Sequence, residues 1–180
     1  ASMTAISVAG AGLIGKRHLE ALRLAGIAIH SVIDPDPAAA KVAAAHGVPH
    51  FTDLAAGLAA GPDGIILATP NAHHAEGALA CIAAGVPVLV EKPLTTELDD
   101  AIALVEAGEA AGVPVLTGHH RRHLPVIQAA RARIGSGALG TLVAAHAMFW
   151  LAKPDAYFDT PWRRAPGAGP IYVNLIHDVD

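Results

Sequence analysis

The stretch Gly10-Ala11-Gly12-Leu13-Ile14-Gly15 decides how the rest of this sequence is interpreted. It follows the apolar run 5–9 and precedes a segment in which apolar residues recur on one helical face. Three glycines at this spacing allow a tight turn, a close approach of the backbone to a phosphate, and close packing of a helix on a strand. The N–H groups at the start of that helix attract negative charge. The stretch therefore predicts a site for the pyrophosphate of a dinucleotide, with an ordinary glycine turn as the alternative.

Apolar runs alternate with helical patterns over residues 1–118. The runs cover residues 5–9, 28–33, 64–68, 87–90 and 114–116. Parallel strands are buried on both faces and need a crossover of about a dozen residues or more between them, which matches this alternation. We therefore predict an α/β fold in which residues 1–118 form a Rossmann domain with a doubly wound parallel sheet.

Two polar sites predict where helices begin. Asp36-Pro37 is predicted to supply an N-cap and the first helical residue. Thr96, with Asp99 three residues later, is predicted to form a capping box.

The pattern changes after Gly118, and we predict that residues 119–180 begin a second domain. A helical segment through Ile134 is followed by the turn signal Gly135-Ser136-Gly137 and by a predicted strand over 141–151. One strand and one helix cannot bury a sheet face by themselves. We therefore expect the natural protein to continue beyond Asp180.

The composition argues against several classes of protein. The 180 residues include 12 Lys and Arg, 16 Asp and Glu and one cysteine, with a net charge of −4. This balance argues against a nucleic-acid partner. Cys81 alone forms neither a disulfide framework nor a cysteine-based zinc site, which favours a cytoplasmic location. Glycines and His146 interrupt the uncharged run 134–152, so no membrane span is predicted.

Asp34 closes the second predicted strand, about 20 residues after the glycine stretch. An acid at this position accepts hydrogen bonds from the adenosine ribose hydroxyls. No Lys or Arg stands within the next six residues to neutralise a 2′-phosphate. NAD is therefore favoured over NADP, while a plain turn at Asp34-Pro35 is the alternative.

Polar residues also follow the runs 64–68 and 87–90. Thr69-Pro70-Asn71 with His74 comes after the first of these runs, and Glu91-Lys92-Pro93 comes after the second. The carboxyl ends of strands in an open α/β sheet are where ligands bind. A lysine at such an edge can serve as a general acid or base, although a surface lysine is the plainer reading of Lys92 taken alone.

These motifs, together with Trp162-Arg163 and 169–177, resemble the Gfo/Idh/MocA oxidoreductases over the whole chain. The resemblance implies an NAD(P)-dependent sugar or cyclitol dehydrogenase or reductase. It also implies that the Rossmann domain is followed by an α/β domain with a mostly antiparallel open sheet, which holds the substrate and mediates homo-oligomerisation.

The resemblance implies roles for individual residues. Lys92 orients the substrate and shuttles the proton, and His177 acts beside it. Many family members carry Asp four residues before this histidine, where this sequence has Val173; Asn174 could hydrogen-bond substrate or imidazole but cannot replace that carboxylate. The predicted cofactor contacts are Gly10, Gly12, Leu13, Ile14, Gly15, Asp34, Thr69, Pro70, Asn71, His74, Glu91, Lys92, Trp162 and Arg163.

The sequence thus predicts an enzyme that transfers a hydride between NAD and a secondary alcohol or ketone of a sugar, cyclitol or related polyol. One alternative is transient oxidation that permits elimination or glycoside cleavage without net redox change, and another is a non-catalytic dinucleotide-binding regulator. His119 and His123 share a helical spacing, but no third ligand of matching spacing lies nearby, so no metal is predicted.

Overall fold

Short apolar and β-branched runs pair into one parallel sheet within residues 1–118. The computed structural model describes residues 4–148, 150–164 and 175–180. The strands are Ala5–Ala9 (β1), Ala28–Ile33 (β2), His50–Phe51 (β3), Gly64–Leu67 (β4), Val88–Val90 (β5) and Val115–Thr117 (β6). Their order is β3-β2-β1-β4-β5-β6, and every neighbouring pair is parallel. The predicted doubly wound Rossmann sheet is confirmed.

Helices cover both faces of this sheet. They are Leu13–Leu24 (α1), Ala39–Ala45 (α2), Leu54–Ala59 (α3), His74–Ala83 (α4) and Leu98–Ala111 (α5). One buried cluster contains Leu19 of α1 with Val8 and Val32, and the other contains Leu104 of α5 with Leu67. Because the strand order reverses between β1 and β4, a crevice forms at the carboxyl ends of these two strands.

Both predicted helix starts are wrong, that of α2 by two residues and that of α5 by one. Helix α2 begins at Ala39, and the Asp36 carboxylate instead accepts the Ala38 N–H in the preceding turn, at 2.8 Å. Helix α5 begins at Leu98 with Glu97 in the N-cap position and no side-chain capping bond. Thr96 stands one residue too early for a cap, because Glu97 is the last extended residue before the helix.

The chain divides at Gly118 into the units Ala1–Gly118 and His119–Asp180. The second unit contains α6 (Pro125–Gly135), a short helix α7 (Ile176–Val179) and 3₁₀ turns at His120–His123, Asp155–Asp159 and Pro161–Arg164. The helix predicted through Ile134 is therefore present. The substrate-binding and oligomerisation roles assigned to this unit stay predictions.

The strand predicted over 141–151 is wrong for the residues that the structure describes. Residues 141–148 and 150–151 carry no regular secondary structure, and their side chains are exposed. A strand is stable only when neighbouring backbone pairs with it, and no described segment of this unit does so. The predicted antiparallel sheet stays a prediction. Within the described part of the chain, none of the helices has the length and apolar character needed to cross a bilayer.

Candidate active site

The glycine loop joins the end of β1 to the start of α1. Gly10 has φ +94°, and a Cβ there or at Gly15 would overlap backbone carbonyl oxygens, so both positions require glycine. Gly12 is the N-cap of α1, without a side-chain cap, and no atom would contact a Cβ built on it within 4 Å. The first turn of α1 carries no acidic residue. The loop therefore presents backbone N–H groups at an open helix N-terminus, which suits a phosphate.

Asp34 is tied to the glycine loop by its own carboxylate. Its Oδ2 accepts the Ala11 N–H at 2.6 Å, and its Oδ1 accepts the Asp36 N–H at 2.8 Å. Each carboxylate oxygen has a second lone pair for a further hydrogen bond. The side chain can therefore hold the loop and still accept ribose hydroxyls. The pattern of the sequence did not predict the bond to Ala11.

A cavity of about 370 Å³ follows the carboxyl ends of β1, β2 and β4. Its apolar lining includes Ala9, Ile33 and Leu67, the last residues of these strands. Thr69 also lines it, and the buried Thr69 hydroxyl has no hydrogen-bond partner among the described residues. The volume falls within the range of small-molecule pockets. The cavity suits a flat, mostly apolar ring that offers one polar atom to Thr69.

The loop after β4 leads directly into α4. Pro70 precedes the 3₁₀ turn Asn71–His73, and the buried Asn71 Nδ2 has no hydrogen-bond partner within the described residues. A buried amide without a partner is costly, so this donor is a candidate for a ligand oxygen. Thr69, Pro70 and Asn71 lie at the crevice, as the sequence predicts; their contacts with a cofactor stay predictions.

His74, the first residue of α4, is buried with 1% of its surface exposed. Its Nδ1 lies 2.7 Å from the Pro93 carbonyl oxygen, and its Nε2 lies 3.0 Å from the Thr69 carbonyl oxygen. Burial lowers the pKa of His74, although both carbonyls oppose that shift. A neutral imidazole has one N–H, which we assign to Nδ1 because its contact is shorter. His74 therefore joins two loops of the site, and its predicted contact with the cofactor stays a prediction.

Glu91 and Lys92 lie just beyond β5. Glu91 Oε1 accepts a hydrogen bond from His18 Nε2 of α1 at 2.7 Å, and Glu91 Oε2 accepts the backbone N–H of Lys92 at 3.2 Å. Burial raises the pKa of the Glu91 carboxyl, but the hydrogen bond and charge of His18, together with Lys92, outweigh burial and hold that pKa below its usual value. Lys92 is half-buried, and its peptide bond to Pro93 is cis.

Sequence reasoning missed His18 as part of this site. Its only local signal is its position four residues after Ile14, on the helix that the glycine loop opens. The acidic partner is 73 residues away in the chain. Only the parallel sheet brings α1 and the end of β5 together.

The second unit contains the remaining predicted site residues. His177 lies in α7, and its ring meets that of His120 edge to face, with centroids 4.8 Å apart. Arg121 donates to Asp178 Oδ1 at 2.6 Å, and Arg122 pairs with Asp180. The 3₁₀ turn His120–His123 therefore holds α7, in part through Asp178, the residue that follows His177.

Of the other predicted site residues in this unit, Arg163 has contacts that the structure describes. Arg163 donates to the Tyr157 carbonyl oxygen at 2.8 Å and stacks 4.3 Å over the Tyr157 ring. Asn174 and Val173 lie outside the described residues, as does the side chain of Trp162. The roles of Arg163, Trp162 and Asn174 toward cofactor or substrate stay predictions.

The first unit thus gathers most of the predicted residues at one edge of its sheet. They are Gly10, Gly12, Leu13, Ile14, Gly15, Asp34, Thr69, Pro70, Asn71, His74, Glu91 and Lys92. Among residues 4–148, 150–164 and 175–180, no group of three or more potential metal ligands of the His, Cys, Asp and Glu types occurs. The arrangement offers backbone amides that suit a phosphate, an acid that suits ribose hydroxyls, and a lysine at the carboxyl edge of the sheet.

Comparison with known proteins matches this arrangement. A family model described as "Oxidoreductase family, NAD-binding Rossmann fold" covers residues 4–119. A 4-carboxy-2-hydroxymuconate-6-semialdehyde dehydrogenase of Sphingobium sp. is 41% identical over 138 residues, which are 74% of this chain and 44% of that protein. Inositol 2-dehydrogenase 4 of Saccharopolyspora erythraea is 37% identical over 181 residues, which are 97% of this chain and 52% of that protein.

A solved structure agrees with these matches. The WlbA dehydrogenase from Bordetella pertussis, crystallised with NADH and UDP-GlcNAcA, superposes with a TM-score of 0.91 at 28% identity. The match covers 97% of this chain and 53% of that one. The chain spans about half the length of the curated relatives that it matches.

Proposed function

Because the chain belongs to the Gfo/Idh/MocA family of NAD-binding oxidoreductases, we propose that it transfers a hydride between NAD and the secondary-alcohol or ketone carbon of a sugar, cyclitol or related polyol. One observation carries the proposal: the glycine loop, Asp34 and Lys92 converge at the carboxyl edge of one parallel sheet. The inositol 2-dehydrogenase from Saccharopolyspora erythraea supports a cyclitol, and the WlbA complex with UDP-GlcNAcA supports a sugar.

The residues of the first unit fit the cofactor. The open N-terminus of α1 at Gly12 would hold the pyrophosphate, and Asp34 would accept the adenosine ribose hydroxyls. The cavity beside Thr69 would take the adenine ring. When bound, NAD supplies the hydride chemistry at its nicotinamide ring.

The protein contributes proton transfer and orientation. In alcohol oxidation the substrate hydroxyl loses a proton, and Lys92 Nζ accepts it in this proposal. The neutral amine thereby becomes an ammonium, and in the reverse direction this ammonium donates the proton to the developing alkoxide. His177 and Asn174 would orient the hydroxyl, and a positioned acid or base of this kind contributes about 10²–10⁴ in rate.

A carboxylated semialdehyde is a second candidate substrate. The relative from Sphingobium sp. is named as a semialdehyde dehydrogenase and is 41% identical over 138 residues. The hydrate or cyclic hemiacetal of an aldehyde presents a carbon that bears both hydrogen and hydroxyl. The same hydride and proton transfers therefore apply to it.

The test follows nicotinamide absorbance in the intact protein, mixed with NAD and a panel of cyclitols, sugars and a carboxylated semialdehyde. We expect NADH to accumulate with at least one cyclitol or sugar and not with a Lys92→Met control. Accumulation only with the semialdehyde would select the second candidate. Consumption of a sugar without net NADH would indicate transient oxidation, and binding without turnover would indicate a regulator.

Calorimetry with both cofactors tests the proposed preference for NAD. We expect NAD to bind more tightly than NADP, because Asp34 would repel a 2′-phosphate. Asp34→Ala should weaken NAD binding and reduce the difference in affinity between NAD and NADP. Equal or tighter binding of NADP to the wild type would contradict the assignment of Asp34 to the ribose.

We also propose that the intact protein forms a homo-oligomer through its predicted C-terminal sheet. Light scattering would measure its molecular mass in solution.

A further inference from the structure

Lys92 is flanked in the chain by two residues that histidines hold. On one side, His18 Nε2 lies 2.7 Å from Glu91 Oε1. On the other, His74 Nδ1 lies 2.7 Å from the Pro93 carbonyl oxygen. The two histidines come from different helices, α1 and α4. Contacts thus hold the side chain of Glu91 and the carbonyl of Pro93, the residues on either side of Lys92.

We propose that His18 and His74 are positioning residues for Lys92, which together fix where its Nζ meets the substrate hydroxyl. This inference rests on the proposed function for the proton-transfer role of Lys92. Each histidine acts through the residue next to Lys92, and this role is separate from the cofactor contact predicted for His74.

The His18 contact connects Lys92 to the glycine loop. His18 lies on α1, the helix that the loop opens, and its partner Glu91 uses the second carboxylate oxygen to accept the Lys92 N–H at 3.2 Å. Glu91 is half-buried, and its side chain has 16% of its surface exposed. A partly buried, charge-assisted pair of this kind holds its geometry better than an exposed one. Helix α1 and the lysine backbone are therefore joined through one carboxylate.

The His74 contact connects Lys92 to the loop after β4. The buried ring contacts the Pro93 carbonyl and, through Nε2, the Thr69 carbonyl at 3.0 Å. Pro93 is itself buried, so water does not compete for the hydrogen bond. The carbonyl that His74 holds belongs to the residue after Lys92, which limits rotation of the chain at that end.

Loss of either contact should therefore move Lys92 without removing it. A lysine side chain has several rotatable bonds, and a displacement of about 1 Å at a reacting group can lower the rate by about 10²-fold. Cofactor affinity depends mainly on the glycine loop and Asp34 in the proposed function. The expected signature is a lower kcat with a nearly unchanged NAD affinity.

Substitutions of each histidine by Asn and by Gln test the positioning role, because one amide keeps the hydrogen bond and the other loses it. The Asn amide nitrogen lies near the place of histidine Nδ1, and the Gln amide nitrogen lies near that of Nε2. At position 18 the contact uses Nε2, so His18→Gln should retain it and His18→Asn should lose it. At position 74 the Pro93 contact uses Nδ1, so the order reverses: His74→Asn should retain it and His74→Gln should lose it.

Two measurements on these four variants decide the proposal. The first is acylation of lysines, read by mass spectrometry, with the exposed Lys16 and Lys41 as internal standards. We expect Lys92 to react more slowly than the standards in the wild type, and several-fold faster in His18→Asn and His74→Gln only. The second is single-turnover hydride transfer in the intact protein with the most active polyol of the panel, where these two variants should fall about 10-fold or more.

The outcomes separate this inference from the proposed function. If Lys92→Met keeps full activity, the proton role of Lys92 is wrong, while the acylation pattern still reports whether the histidines position its side chain. If Gln and Asn behave alike at each position, in acylation and in thermal stability, the histidines only support the fold and the inference is overturned. Unchanged acylation of Lys92 in all four variants overturns it as well.

Discussion

The two units of this chain differ in the kind of contact found inside each of them. In Ala1–Gly118, apolar side chains such as Leu19 and Leu104 are fully buried on opposite faces of the sheet. In His119–Asp180, no described residue is buried, and the contacts that hold α7 are hydrogen bonds and ion pairs such as Arg121–Asp178. Apolar burial gives the first unit a stable scaffold for a cofactor, whereas the pair Arg121–Asp178 that holds α7 joins two partly exposed charged side chains.

The largest effect is expected at Lys92, in the unit with the buried core. Lys92→Met should lower hydride transfer by about 10²–10⁴, the usual contribution of a positioned acid or base, with NAD affinity changed only a few-fold. Lys92→Arg should restore little, since a guanidinium keeps its proton at working pH. Paired calorimetry and single-turnover kinetics measure both quantities. Near wild-type transfer in Lys92→Met would shift the proton role to His177 in the second unit.

The stability contrast can be measured by removing one side chain from each unit. Leu104→Ala should lower the free energy of unfolding by about 2–5 kcal/mol, because Leu104 is fully buried and its loss leaves a cavity. Val126→Ala, on α6, should change it by at most about 0.5 kcal/mol, because Val126 is 70% exposed. Urea titration followed by circular dichroism gives both values. Equal decreases in the free energy of unfolding for the two variants would show that the second unit also has an apolar core.

The pH dependence of stability is expected to come mainly from the first unit. The pKa of His74 is lowered by burial, and the pKa of Glu91 is lowered in spite of burial by its pairing with His18. A lowered folded-state pKa means that the unfolded chain binds the proton first, so stability falls as pH falls. We expect a first decrease below about pH 6.5 from His74 and a second below about pH 4.5 from Glu91.

Urea titrations across this pH range test the assignment. His74→Asn should remove the step near neutral pH and leave the acidic step in place. Stability that rises on acidification between these values, or an unchanged step in the variant, would contradict the assignment to His74.

The smallest effect is expected at the charged contacts of the second unit. Arg121→Ala should lower stability by at most about 1 kcal/mol, because both partners of the Arg121–Asp178 pair are partly exposed. High salt should reduce the difference further, since ions screen exposed charges. Unfolding at low and high salt, compared with Arg131→Ala on α6, measures this. A decrease of several kcal/mol in the free energy of unfolding would mean that this pair supplies much of the stability of the second unit.

Local patterns in the sequence predict the fold of the first unit and the position of the glycine stretch and Asp34 at one edge of its sheet. The glycine stretch, Asp34 and the alternating apolar runs are local patterns, and each depends on residues that are neighbours in the chain. Strand, turn and helix geometry follow from such spacing, so the parallel sheet and the residues at its edge could be predicted.

How Lys92 is held, and where the local patterns fail, depends on contacts between segments that are distant in the chain. His18 meets Glu91 across 73 residues and His74 meets Pro93 across 19, and no spacing in the chain reports either contact. The predicted strand over 141–151 fails for a related reason: its apolar pattern is present, but a strand also needs backbone partners from elsewhere in the fold. Periodicity specifies which face of an element is apolar, whereas packing between distant elements specifies which atoms meet.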